Sequence, residues 1–141
     1  MEQIIQYKEE IASLIARVFL GLLFLFQGYD AVFNVKIRNV ISTYRNDFEG
    51  KGMPGFIVVM ASWFTTCTEL LCGLFLILGL FTHVSLYLLG LNLLVAALGF
   101  GLTSPMWDTR HVLPRLILLL FLLLIPEAWN IFSLDNLISK L

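Results

Sequence analysis

Glu69 is the single carboxylate within a long apolar stretch of the sequence, residues 56–81. A charge in the hydrocarbon core of a membrane costs several kcal/mol unless it is paired, neutral or solvated. Such a carboxylate can hold two helices together as one partner of an ion pair. Alternatively, it can relay a proton or contact a ligand. A third interpretation, in which Glu69 faces lipid, stays open as well.

Helical periodicity gives Glu69 a direction. The small or polar residues that lie within about 60° of it on a helix are Ser62, Thr65, Thr66, Cys72 and Gly73. Similar stripes occur in two other apolar stretches, with Arg17, Gly21 and Gly28 in one and Ser85, Asn92 and Gly99 in the other. Because helices in lipid associate through small and polar residues, these faces should meet inside a bundle.

Arg17 is the predicted partner of Glu69. With a rise of about 1.5 Å per residue, two antiparallel spans place Glu69 nearer to Arg17 than to Asp30. Asn92 is a second predicted contact of the carboxylate. Together, Arg17, Glu69 and Asn92 form the predicted intramembrane polar seam.

A second group of polar residues is expected at one membrane interface. Gln27 and Asp30 end the first apolar stretch, Arg110 and His111 precede the last one, and Arg115 begins it. Asp30 is predicted to pair with Arg115 or Arg110. The group is either a set of ordinary interfacial charges with a snorkelling arginine or a site for an anion or a lipid head group.

No metal site and no intrinsic cofactor are expected. Cys67 and Cys72 are about 500° apart around a helix, so they face nearly opposite sides and cannot form a disulfide within it. We expect both to be small buried hydrophobic side chains. His83 and His111 lack the i, i+4 spacing that clamps a metal or a haem. The net charge of −1 gives no reason to expect a nucleic acid partner.

The composition indicates a membrane protein. Of the 141 residues, 59% are hydrophobic, against roughly 45–50% in soluble proteins. The apolar residues occur in blocks, and a spanning helix needs about 20 predominantly apolar residues. Four spans are predicted, at about 11–33, 56–81, 84–102 and 112–129. The chain is expected to be one domain, residues 1–141, that is all-α: an integral membrane four-helix bundle.

The end of the chain predicts one more helix. Leu134, Leu137, Ile138 and Leu141 share a helical face, and Ser133 is a candidate N-cap. We therefore expect a short C-terminal amphipathic helix that lies at the membrane interface. The loop at residues 34–55 is long enough for a short interfacial helix of its own.

The distribution of positive charge predicts the orientation. With four spans, both termini lie on one side of the membrane, where the only cations are Lys8 and Lys140. The other side carries Lys36, Arg38, Arg45, Lys51, Arg110 and Arg115. Since cytoplasmic loops are enriched in lysine and arginine, the first and third loops should be cytoplasmic and both termini outside.

Three segments together resemble the DoxX family of small bacterial membrane proteins. They are Arg17 to Gly28, with its Gly-Leu-Leu and closing Gln-Gly; Glu69 to Thr82, with Glu-Leu-x-x-Gly and Leu-Gly-Leu; and Ser133-Leu134-Asp135. Their order and spacing match over nearly the whole chain. The resemblance implies a four-helix protein of the bacterial inner membrane that is often associated with redox systems, as in relatives that look like small subunits of thiosulfate:quinone oxidoreductases.

Three functions follow as hypotheses. The first is a non-catalytic accessory subunit of a larger respiratory or redox complex, in contact with membrane lipids and other subunits. The second is a component of a quinone-linked oxidoreductase, with quinone bound near Glu69 and Arg17. The third is a small-solute carrier, although no span has the central proline or glycine break of many transporters. Catalysis by the chain alone is not expected.

Overall fold

The apolar blocks of the sequence form helices in the computed structural model, which describes residues 7–103 and 109–140. In chain order the helices are α1 (Lys8–Tyr29, continued by a π-helix over Asp30–Asn34), α2 (Ile37–Asp47), α3 (Gly55–Leu78), α4 (Thr82–Thr103), α5 (Thr109–Leu124) and α6 (Leu134–Ile138), with a 3-10 turn at Glu127–Trp129. The described residues contain no strand. The predicted all-α class is confirmed.

Among the described residues, three helical stretches are long and apolar enough to cross a membrane. They are Lys8–Asn34, Gly55–Leu78 and Thr82–Thr103, and the apolar helix His111–Leu124 is shorter. Within the predicted fourth span, 112–129, the helix stops at Leu124, because the residue before Pro126 is disfavoured in the α conformation. The molecule is a membrane helical bundle, and a complete fourth crossing stays a prediction.

Glycines let α1 and α3 pack with their backbones in contact. A Cβ atom added at Gly28 would lie 2.5 Å from the backbone nitrogen of Leu70, and one at Gly73 would lie 2.5 Å from that of Leu25. At Gly21 it would lie 2.8 Å from the carbonyl oxygen of Gly73. Only residues without a side chain allow so close an approach. These contacts fix how far the two antiparallel helices slide along each other.

A tight turn joins α3 to α4. Gly79 has a φ of +68°, and the Leu80 N–H donates to the carbonyl of Phe75 at 2.9 Å, which is the usual way of ending a helix with a left-handed glycine. A side chain at Gly79 would overlap the guanidinium of Arg17. The turn therefore brings the end of α3 against α1.

The buried core lies between α1, α3, α4 and α5. Its fully buried members include Leu20, Phe24, Leu76, Leu89 and Leu119. By contrast, α2 has no buried residue, and its half-buried Ile37, Val40 and Ile41 follow helical spacing. The predicted C-terminal helix is present as α6, and the Ser133 hydroxyl caps it by accepting from the Asn136 N–H.

Candidate functional site

Glu69 lies in a cluster of amide side chains from neighbouring helices. Its Oε1 accepts hydrogen bonds from Gln27 Nε2 on α1 at 2.8 Å and from Asn92 Nδ2 on α4 at 3.0 Å. Glu69 is 6% exposed and Asn92 is 0% exposed. The predicted contact between Glu69 and Asn92 is confirmed.

Arg115 completes this group, which we name the Glu69 cluster: Gln27, Glu69, Asn92 and Arg115. The guanidinium of Arg115 donates to Gln27 Oε1, and its central carbon lies 5.5 Å from the centroid of the Phe24 ring, within cation–π range. Gln27 thus bonds to the carboxylate through its nitrogen and to the guanidinium through its oxygen. One chain of hydrogen bonds connects α1, α3, α4 and α5.

One buried polar atom of the Glu69 cluster has no hydrogen-bond partner within the part of the chain that the structure describes. Asn92 Oδ1 is buried, and no donor among the described residues reaches it. Because nearly all buried polar atoms in proteins are hydrogen bonded, such an acceptor calls for a donor from another molecule, a water or a protonated neighbour.

The predicted pair of Arg17 and Glu69 is wrong. The glycine contacts set Gly28, not Arg17, against the Glu69–Leu70 backbone. Counting residues from the predicted span ends assumed that the ends of the two helices are level, whereas the contacts of Gly28 with Leu70 and of Arg17 with Gly79 show that α1 is shifted along α3. The predicted seam is therefore divided: Glu69 and Asn92 share one cluster, and Arg17 belongs to another.

Arg17 binds the segment that follows α5. Its Nη1 donates to Asn130 Oδ1 at 2.9 Å, and its Nη2 donates to the carbonyl oxygen of Phe132. Arg17 is 1% exposed, and no described acceptor reaches its Nε. The side chain lies beside the α3–α4 turn, at the Gly79 contact described above.

Asp135 connects the same C-terminal segment to α4. Its two carboxylate oxygens accept from the backbone N–H groups of Phe81 and Thr82, each at 2.8 Å, and its own N–H donates to the carbonyl of Gly79 at 2.9 Å. The carboxylate therefore caps the first turn of α4, where helix N–H groups lack partners. Partial burial alone would raise the pKa of Asp135, but these hydrogen bonds and the charge of Arg17 outweigh it and lower the pKa.

The three segments that resemble DoxX thus meet in space at one end of the bundle. Arg17 comes from the first, the Gly79–Thr82 turn from the second and Asp135 from the third. We name Arg17, Asn130 and Asp135 the Arg17 cluster. The sequence analysis did not predict Asn130 as a site residue, and it did not assign a role to Asp135. The Ser-Leu-Asp motif, one of the three segments that resemble DoxX, was the signal that could have indicated Asp135.

The predicted interfacial group is only partly assembled. Gln27 and Arg115 contact each other, but Arg115 does not pair with Asp30, whose Oδ1 accepts from Asn34 Nδ2 at 2.8 Å. His111 is exposed, and the side chain of Arg110 lies outside the described residues. The prediction that Asp30 pairs with Arg115 is wrong, because Asp30 bonds to Asn34 in its own segment. The alternative pairing with Arg110 falls on a side chain outside the described residues.

The two cysteines are on different faces of α3. Cys72 is buried and Cys67 is exposed. Their predicted opposite directions are confirmed, whereas the prediction that both are buried is wrong for Cys67. Both are free thiols.

Comparison with known proteins gives one result. The sequence profile of the DoxX family matches residues 12–102. No curated protein and no solved structure is significantly similar to the chain. The matched segment contains α2, α3 and almost all of α1 and α4, together with Gln27, Glu69, Asn92 and Arg17. Because it covers well over half of the chain, the protein belongs to the DoxX family.

Proposed function

We propose that the protein is a non-catalytic accessory subunit of a larger respiratory or redox complex of the bacterial inner membrane. The observation that supports this proposal is the Glu69 cluster, in which polar side chains bond to one another across the bundle: Glu69 and Asn92 are buried, Arg115 is half-buried and Gln27 is exposed. Glu69, a carboxylate that could move protons, is held by two amides and is almost fully covered. Groups arranged in this way fix the positions of helices.

The second cluster supports the same role. Arg17 and Asp135 hold the C-terminal segment against the α3–α4 turn, so this end of the bundle is also fixed. The outer surface carries large exposed apolar residues such as Phe19, Trp63 and Leu98, which suit lipid or the spans of another subunit. The redox setting of the complex comes from the DoxX resemblance alone.

The experiment is extraction of the tagged protein from its own membranes in a mild detergent, followed by native electrophoresis. We expect it to migrate with a larger complex, at a fixed ratio to its components. Deleting the gene should lower the activity or the amount of that complex, and the wild-type gene should restore it. A protein that migrates alone and has turnover of its own would overturn the proposal.

A second candidate is a quinone-linked oxidoreductase component, favoured by the unpartnered Asn92 Oδ1. A hydroquinone carries hydroxyl groups, and one of them could donate to this atom beside Glu69. Arg115 replaces Arg17 as the nearby cation in this proposal, since Arg17 binds the C-terminal segment. When bound, a quinone would supply two-electron redox chemistry; Glu69 and Asn92 would bind and orient it.

Glu69→Gln separates the two proposals. Glutamine keeps the size of the side chain and one oxygen that accepts from Gln27 and Asn92, but it cannot carry a proton. A quinone-linked component should then accumulate normally and lose turnover. An accessory subunit should accumulate normally and leave the turnover of its complex unchanged.

A further inference from the structure

A groove opens between the end of α2 and the first turn of α3. Its volume is about 470 Å³, within the range of ligand sites in proteins, roughly 300–1,000 Å³. Arg45, Phe48 and Glu49 line it from one side, and Met53, Gly55 and Val58 line it from the other. The Glu69 cluster and the Arg17 cluster lie elsewhere in the bundle.

The position of the groove places it at the membrane surface. The first spanning stretch ends at Asn34 and the second begins at Gly55, so α2 between them has to lie close to the head groups. Its lack of buried residues and its one-sided apolar pattern are typical of a helix lying in the interface. Val58, one turn into α3, marks the side of the groove that leads toward the hydrocarbon.

The lining has the two-part chemistry of a phospholipid. Arg45 is the cation in the groove, and Phe48, Met53 and Val58 provide an apolar wall. Residues 36–51 carry four cations, Lys36, Arg38, Arg45 and Lys51, against two acids, Asp47 and Glu49. Basic residues close to the membrane surface attract anionic lipids.

We propose that this groove binds one anionic phospholipid, with its phosphate at Arg45 and an acyl chain along Phe48, Met53 and Val58. The proposal is independent of the accessory role, because it concerns a different set of residues. The bound lipid would tie α2 to the start of α3 and leave Glu69 untouched.

The first test is native mass spectrometry of the protein released from micelles that contain phosphatidylglycerol or phosphatidylcholine with the same acyl chains. We expect one phosphatidylglycerol to be retained in preference to phosphatidylcholine. Arg45→Gln should lower its retention by about fivefold, the effect of one surface cation on anionic lipid. Arg38→Gln, on the same helix but outside the groove lining, is the matched control and should lower retention less than Arg45→Gln does.

A second variant fills the groove without removing a charge. Gly55 lines the groove, and a Cβ atom there would meet no atom within 4 Å, so the backbone at this position accepts a side chain. Circular dichroism of Gly55→Leu should match that of the wild type. The substitution should lower retention of phosphatidylglycerol as Arg45→Gln does. Equal retention of the two lipids, retention unchanged in both variants, or displacement of the adduct by soluble glycerol phosphate would overturn the proposal.

Discussion

Gln27 is the residue on which the Glu69 cluster depends. An amide side chain has both a donor and an acceptor, so it can bond to a carboxylate and a guanidinium at once. In this protein it does so between Glu69 and Arg115, which lie on different helices. A direct ion pair between Glu69 and Arg115 would connect only α3 and α5. Because the Gln27 amide lies between the two charged groups, α1 is connected to both of these helices.

Replacing Gln27 with methionine should therefore weaken the bundle. Methionine has a similar length but neither bonds to Glu69 nor accepts from Arg115, so two charged groups lose a partner. We expect a loss of about 0.5–1.5 kcal/mol in the free energy of unfolding, as for a typical hydrogen bond, because Gln27 is exposed and Glu69 keeps its bond to Asn92. Denaturation in mixed micelles would measure this loss. Thr43→Val, an exposed change on α2, is the control, and a Gln27→Met variant as stable as the wild type would contradict the role of the amide.

The contrast between Arg17 and Glu69 shows how far the sequence predicts a site. Helical periodicity identified which side chains point inward, and the contact of Asn92 with Glu69 agrees with it. Periodicity cannot give the depth at which two helices meet, because a shift of one turn leaves the inward faces unchanged. The glycines that set this depth could be recognised among the small residues on the inward faces of the helices. Only the structure shows which residue of the neighbouring helix each glycine contacts.

At the scale of helices, the contact between α1 and α3 depends on the absence of side chains at Gly28. Gly28→Ala would bring a Cβ atom to 2.5 Å from the backbone of Leu70, so one helix has to move. We expect a loss of about 1–3 kcal/mol in the free energy of unfolding, as for other overpacked sites.

Gly101→Ala is the matched control for that substitution. A Cβ atom at Gly101 meets nothing within 4 Å, and alanine stabilises a helix by up to about 1 kcal/mol relative to glycine. The control should be neutral or stabilising in the same unfolding assay. Equal destabilisation by both substitutions would show that close backbone packing at Gly28 is not the cause.

The cap that Asp135 forms on α4 should make stability depend on acid. The folded state lowers the pKa of Asp135, so the ionised cap stabilises the fold above the unfolded pKa, about 3.9, and this contribution is lost as the pH falls through the lower, folded value. We expect Asp135→Asn to be less stable at neutral pH and to show a smaller loss on acidification. Melting temperatures between neutral pH and about pH 3 would measure it.

Asp47→Asn provides the comparison for this titration. Asp47 is exposed at the end of α2, so the substitution removes a carboxylate without removing a cap. Its acid dependence should match that of the wild type. If both variants flatten the pH profile equally, the cap at α4 is not the source of the effect.

At the scale of the molecule, the two clusters lie at different depths. Arg17 and Gln27 are ten residues apart on α1, which corresponds to about 15 Å along a helix. One cluster joins α1 to α3, α4 and α5, and the other joins α1 to the C-terminal segment and the α3–α4 turn. Because the two clusters hold α1 at two different depths, together they resist both tilting and sliding of this helix.

The orientation of the bundle can be tested with single cysteines, introduced into a protein in which Cys67 and Cys72 are replaced by alanine. Thr43→Cys lies on α2 and Ser139→Cys follows α6, and both positions are exposed. If the first loop is cytoplasmic, an impermeant maleimide added to intact cells or spheroplasts should label Ser139→Cys, and it should label Thr43→Cys only after the membrane is opened. The reverse pattern would invert the proposed topology.

The bond between Arg17 and Asn130 also has a consequence for biosynthesis. The two residues are 113 positions apart in the chain, and the ribosome makes Arg17 first. When α1 enters the membrane, its guanidinium has none of the partners that later cover it, so water or lipid phosphates have to solvate it in the meantime. Insertion therefore precedes completion of the fold, and a nascent chain halted before residue 130 would present an unpaired arginine to the quality-control proteases of the membrane.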